Sequence, residues 1–222
     1  MATDEAARAY LHSRGITALP VTIIDDDEVV IGYYPKKLIP ALKLDIEVDL
    51  SGKTRWLAEK YDTVLGATLR AIGQLSDEQL QQRLPWRERW TLRDLLMHVL
   101  SIPELAWLSH RHGSMSTEDM RASDTRLRDV RTSEAMAAYG DRVRQQIIAF
   151  LQSNDTAAFE RVVPAHYGGE VTVLELLTII LSHSTHHLKQ AYWFIADELG
   201  TPPINPATDE DLEGIVTPAA LF

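Results

Sequence analysis

Apolar residues return along this chain with two different rhythms. From about residue 54 they recur every three or four positions in four long stretches, whereas before residue 45 they gather in two short β-branched runs. The first long stretch, Thr54 to Leu75, places Trp56, Leu57, Tyr61, Val64, Leu65, Thr68, Leu69 and Ile72 on one helical face. Ser76-Asp77-Glu78-Gln79 then caps a short turn of helix, which Pro85 ends. The second helix is expected from Thr91, with Asp94 as capping partner, to about His112, its stripe made by Leu95, Leu96, Val99, Ile102, Leu105 and Leu108. Pro103 removes one backbone donor and predicts a kink just beyond His98. A polar loop is expected from Gly113 to about Arg131, a third helix from Ser133 to Ser153, and a fourth from Thr172 to Leu199, stopped by Gly200 and two prolines. Between helices three and four, Val162 to Val171 reads as a glycine turn flanked by short extended pieces.

The N-terminal pattern is different in kind. Asp4 to Arg14 reads as a helix ending at Gly15. Val21–Ile24 and Val29–Gly32 read as strands joined across the acidic turn Asp25-Asp26-Asp27-Glu28, and Pro35 to Leu44 returns to helix. A lone hairpin is marginal in water, so this segment is expected to pack on the helices or to pair with a second copy through its first strand edge, giving a homodimer. The fold class expected is mainly α: an up-down four-helix bundle over residues 51–203, a small α-β-β-α segment over residues 1–48, and a tail over residues 204–222.

Composition narrows the chemistry. The 222 residues are 45% hydrophobic, enough for a real core, and the net charge of −10 argues against binding a nucleic-acid backbone. No apolar run reaches membrane-spanning length and the N-terminus lacks a signal pattern, so no membrane partner is expected and the cytoplasm is the expected compartment. There is no cysteine. The chain therefore supplies neither a disulfide nor a thiolate, and any thiol chemistry must use a thiol from outside.

Histidines carry the sharpest signal. Leu181 to Gln190 places His183, His186 and His187 within one and a half turns of a helix that begins as a nearly continuous apolar run. Residues four apart on a helix point the same way, so His183 and His187 can aim two imidazoles at one point; His183 and His186, three apart, can do so too. A third ligand must come from another helix, and His98, beside the apolar stripe of the second helix, is the best candidate. Taken alone, His98 reads as a hydrogen-bonded core histidine; taken with the pair, it completes a three-histidine metal site. His186 falls outside the ligand set, in a supporting or solvent-facing place. His166 and Tyr167, in the third connection, line the mouth of a pocket on one reading and a surface turn on the plainer one. His110 and His112 are read as cations near a helix C-terminus.

Trp90-Thr91-Leu92-Arg93-Asp94-Leu95-Leu96-Met97-His98 and His183-Ser184-Thr185-His186-His187-Leu188-Lys189-Gln190 resemble the two ligand segments of the DinB-like or YfiT-like metal-dependent four-helix bundles, also described as S-transferase-like. The resemblance covers Ser51 to about Gly200, and Leu199-Gly200-Thr201-Pro202-Pro203 matches the way their fourth helix ends. It implies His98, His183 and His187 as ligands of a divalent metal, with Gln190 and His186 behind them. The N-terminal segment resembles the C-terminal half of a glutaredoxin, a half-thioredoxin-like piece, with Leu19-Pro20-Val21 at the cis-proline position and Ile31-Gly32-Tyr33 at the second strand end. The strand, helix and cysteine turn that open that fold are absent; they are lost or lie upstream of the present start. Pro20, Val21 and Gly32 would then form a thiol-binding edge, or the segment is a docking or dimerisation remnant.

Three neutral imidazoles leave an open coordination position, the arrangement of a catalytic rather than a closed structural site. The function expected is a divalent-metal-dependent, thiol S-transferase-like one, in which a low-molecular-weight thiol meets an electrophile at Zn, Ni, Fe or Mn. The alternatives are metal-assisted hydrolysis, with Glu104 or Asp94 as general base, and a non-catalytic metal-binding stress or interaction module.

Overall fold

Four long helices hold most of the buried apolar side chains, as the periodicity predicts. The computed structural model describes residues 5–16, 21–25, 27–31, 38, 41–44, 52–153, 155–166 and 169–222. The chain divides into two compact units, residues 1–49 with 166–169, and residues 50–165 with 170–222.

In the smaller unit, α1 (Glu5–Ser13) is followed by β1 (Val21–Ile24) and β2 (Glu28–Ile31), an antiparallel hairpin with Val21 opposite Ile31 and Ile24 opposite Glu28. The expected helix end, strand and turn are all found; the second strand starts one residue earlier than expected. Gly15 has φ +69°, the left-handed conformation that glycine adopts without strain. Pro20 and Gly32 lie outside the described residues, as do five of the ten residues of the expected Pro35–Leu44 helix, of which Leu38 and Ala41 are helical.

The larger unit is mainly helical. Its long helices are α2 (Lys53–Gly73), α4 (Leu92–His112), α6 (Ser133–Leu151) and α8 (Val173–Trp193), and each packs against others of the set. On α2 the inward stripe Leu57, Tyr61, Val64, Leu65, Thr68 and Ile72 is buried. Tyr61, fully buried, donates its hydroxyl to the Leu177 carbonyl of α8 at 2.7 Å, so its burial leaves no polar atom unsatisfied. Gly140 on α6 marks a close approach: a Cβ there would stand 2.7 Å from Leu69 Cδ2 and 2.8 Å from Leu100 Cδ1. Ala in its place makes the ends of the Leu69 and Leu100 side chains shift.

Capping chemistry sets the helix starts. Thr91 with Asp94, and Thr172 with Glu175, form the expected reciprocal boxes, as do Ser76 and Gln79 in front of the short helix α3 (Asp77–Leu80). A hairpin, β3 (Arg83–Leu84) and β4 (Arg87–Thr91), leads directly into α4. The expected polar loop from Gly113 to Arg131 is corrected: its middle is a helix, α5 (Thr117–Arg126), capped by a Ser116 and Asp119 box. Its sequence is polar almost all round, so only the cap betrays it. After α7 (Thr156–Glu160), the connection forms two short strands, β5 (Val162–Ala165) and β6 (Gly169–Thr172), as the flanking valines suggest.

One expectation about a helix end changes. The fourth helix does not run as a regular helix to Leu199; it ends at Trp193, and Phe194–Glu198 continues in a wider π turn closed by Leu199 N–H on the Phe194 carbonyl at 3.1 Å. Helix α4 runs from Leu92 to His112 with Pro103 inside it. Proline at 103 leaves the Val99 carbonyl without its helical donor, and Ser184 of α8 supplies one, its hydroxyl 3.3 Å away and fully buried. This link joins α4 to α8 one residue beyond His98 and one residue beyond His183.

Candidate metal centre

His98 on α4 and His183 and His187 on α8 come together, although 85 residues separate the first two. One ligating nitrogen from each lies within 4.8 Å of the others. His98 Nε2 and His183 Nε2 are 2.9 Å apart, and the three rings meet edge to face with centroids 4.5 to 5.1 Å apart. All three are half-buried. The spacing of His183 and His187 and the place of His98 beside its helix stripe made them the candidate ligands, and the fold brings these three side chains within reach of one point.

The donor chemistry fits a cation. Two nitrogens each about 2.0–2.1 Å from a shared ion stand at most about 4.2 Å apart, which 2.9 Å satisfies. A neutral imidazole has one N–H and one lone pair. A proton shared between His98 and His183 would serve that pair but leave the His187 nitrogen facing them. A cation serves all three. The group of potential ligands contains no carboxylate among the described residues, so the centre carries no negative charge of its own.

Neighbours fix how His187 presents itself. Its Nδ1 lies 2.7 Å from Gln190 Oε1, while Gln190 Nε2 donates to the Leu221 carbonyl at 2.6 Å. A carbonyl accepts only, so Leu221 fixes which end of the amide faces it, and the oxygen must face His187. Gln190 therefore holds His187 as the Nδ1–H tautomer and leaves Nε2 as the ligating atom. The second Gln190 N–H points to His186 Nε2 at 3.3 Å. Gln190 thus joins His186 to His187 beside the three-histidine group.

Burial, only partly offset by the Gln190 hydrogen bond, and then the charges of His186 and Arg87, hold the His187 imidazole down at about 4. Burial, then Lys189, lowers His186 as well. At neutral pH both rings are in the form that offers a lone pair. Trp90, from β4, sets its ring edge to face against His98 at 5.0 Å, and the Arg87 guanidinium covers the Trp90 ring at 3.7 Å. These two residues carry no ligand chemistry and have no periodicity, so the sequence did not single them out.

The remaining candidates lie elsewhere. His166 is exposed at the end of β5, and Tyr167 lies outside the described residues. His110 stacks on Phe150 at 4.6 Å, away from the cluster. Neither carboxylate offered for a hydrolytic base is available. Asp94 is committed to Thr91 N–H and hydroxyl, both at 2.9 Å, and to Arg93 at 3.0 Å. Glu104 is buried and accepts from Tyr139 at 2.8 Å and from Arg126. Valine 21 is the one part of the proposed thiol-binding edge among the described residues, half-buried at the start of β1.

No described helix is long and apolar enough to cross a membrane. No curated protein and no solved structure matches the chain. A family model for the DinB superfamily matches residues 60–191, which holds all three histidines and all four long helices in whole or large part. The match spans more than half of the chain, and the chain belongs to the DinB superfamily.

Proposed function

We propose that His98, His183 and His187 hold a divalent metal ion in an up-down four-helix bundle, and that the protein is a metal-dependent S-transferase-like enzyme acting with a low-molecular-weight thiol. The observation that carries this reading is the convergence of three imidazole nitrogens from two helices, with no acid among them. Bound there, the ion would supply Lewis acidity, which lowers the pKa of a thiol or water that it meets.

The chain's own residues do the rest. Gln190 orients His187, and the Ser184 bond to Val99 holds α4 and α8 in register at the level of the ligands. Trp90 shields one side of His98 from water. The chain has no cysteine, so the sulfur nucleophile comes from the cosubstrate. Commitment of Asp94 and Glu104 leaves a hydrolytic reading without the base that the sequence offered it. In this proposal the N-terminal hairpin, similar to half of a glutaredoxin, is a docking or pairing module, and sedimentation of the full chain against one lacking residues 1–48 tests whether it makes a dimer.

The test of activity is spectroscopic. Cobalt-substituted protein is titrated with glutathione, mycothiol and bacillithiol while the visible spectrum is recorded. A sulfur-to-metal charge-transfer band with one thiol is expected and names the cosubstrate. One metal per chain with no response to any thiol would refute the S-transferase reading and leave a structural or interaction role.

A further inference from the structure

His98 also forms part of the wall of a cavity of about 380 Å³, within the range of small-molecule sites. Arg89, Arg93, Arg128 and Arg131 share that wall against Asp94 and Asp124. A local excess of positive charge therefore sits beside the histidines in a chain of net charge −10.

The four arginines are not equivalent. Arg93 is committed to structure: it bonds Asp94 Oδ1 at 3.0 Å, the Val130 carbonyl at 3.0 Å and the Leu127 carbonyl, and so pins the connection after α5 to α4. Arg131 gives its Nε to the Arg128 carbonyl at 3.2 Å, which leaves its two terminal nitrogens. Among the described residues, Arg89, Arg128 and Arg131 have no carboxylate partner. Of the two acids, Asp94 is engaged by the α4 cap and Arg93. Burial, and then the Asp94 charge, raise the Asp124 carboxyl, while the Arg93 charge lowers it, so the four guanidinium groups face at most two carboxylates. Trp90 and Met97 give the cavity an apolar side next to His98.

We propose that this cavity binds a small molecule through an oxyanion, a carboxylate or a phosphate, gripped by Arg128 and Arg131 with Arg89, with the rest of the molecule directed at His98. The guanidinium fork matches either group with paired hydrogen bonds, and exposed arginines without counter-ions need little reorganisation to form them. This inference rests on the reading of the three histidines as the reacting centre, and it names the substrate class of that centre as anionic.

The full-length protein is titrated by calorimetry with succinate, with inorganic phosphate, and with neutral succinamide as control. Saturable binding of one anion, none of succinamide, and at least tenfold weaker binding to the Arg128→Gln, Arg131→Gln double variant are expected; the tighter anion tells carboxylate from phosphate. Both arginines are exposed, so the variant keeps its fold, which circular dichroism checks. Equal binding by the variant, as when the metal itself takes the anion, overturns the proposal, and so does failure of both anions to bind. Metal content of the same samples separates the two readings. Anion binding lost with metal retained supports the cavity, whereas wild-type protein that binds anion but holds no metal removes only the histidine reading.

Discussion

Two polar clusters interrupt the apolar packing around α4, less than two helical turns apart, and they are built on opposite plans. At Glu104 the charges close on themselves: the carboxylate accepts from Tyr139 and Arg126, and burial together with the Glu104 charge pushes the Tyr139 phenol up. At His98 three like groups turn toward one another with no acid in the set. A cluster that only has to hold helices together pairs donor with acceptor and cation with anion. Three imidazoles cannot do that for one another, and their convergence makes sense for a partner that accepts electron pairs.

The largest effect that separates the two clusters is expected at Glu104. Glu104→Ala strands a buried tyrosine hydroxyl and a half-exposed Arg126; it should destabilise the fold by roughly 2–4 kcal/mol in urea unfolding, below the fully buried limit because of that exposure, and leave metal content unchanged. Metal loss in Glu104→Ala under native conditions would show that the clusters are one system. Next comes Gln190→Leu. Released from its tautomer lock, His187 should bind metal roughly 10- to 100-fold more weakly, read by competition with a chelating dye, while the metal-free protein loses about 1 kcal/mol because His187 Nδ1–H and the Leu221 carbonyl lose their partner. A smaller effect belongs to Ser184→Ala, about 1 kcal/mol, because the Val99 carbonyl loses its substitute donor. Restoring a backbone N–H with Pro103→Ala should make that loss smaller, a non-additivity that a double-mutant cycle measures. Equal Ser184→Ala losses in both backgrounds would break the link between α4 and α8. Least of all is Arg144→Gln, whose partly exposed pair with Asp62 is worth under about 1 kcal/mol.

Much of this was written in the sequence, and what was not has physical reasons. The four long helices were legible because burial imposes a 3.6-residue period, and the starts of the second and fourth because Thr91–Asp94 and Thr172–Glu175 carry side-chain caps. The candidate ligands were legible because a helix turns spacing into direction, so that His183 and His187 had to share a face. Helix α5 was missed, since a helix polar almost all round leaves no apolar period to read. The role of Leu221 was illegible for a different reason: it acts through its backbone carbonyl, which every residue has. Ser184 against Val99 needed both helices in place before Pro103 could be understood. Likewise the arginines of the cavity come from β4, α4 and the connection after α5, and only the fold gathers them.

The central claim is that the open cluster is a metal site, and elemental analysis of metal per chain tests it most directly, on the purified protein and on His98→Ala, His183→Ala and His187→Ala. About one divalent ion per wild-type chain is predicted, falling by at least tenfold in each variant while circular dichroism shows the helices retained. Metal content unchanged in all three variants, or no metal in the wild-type protein even after incubation with Zn, Ni, Fe and Mn salts, would contradict it.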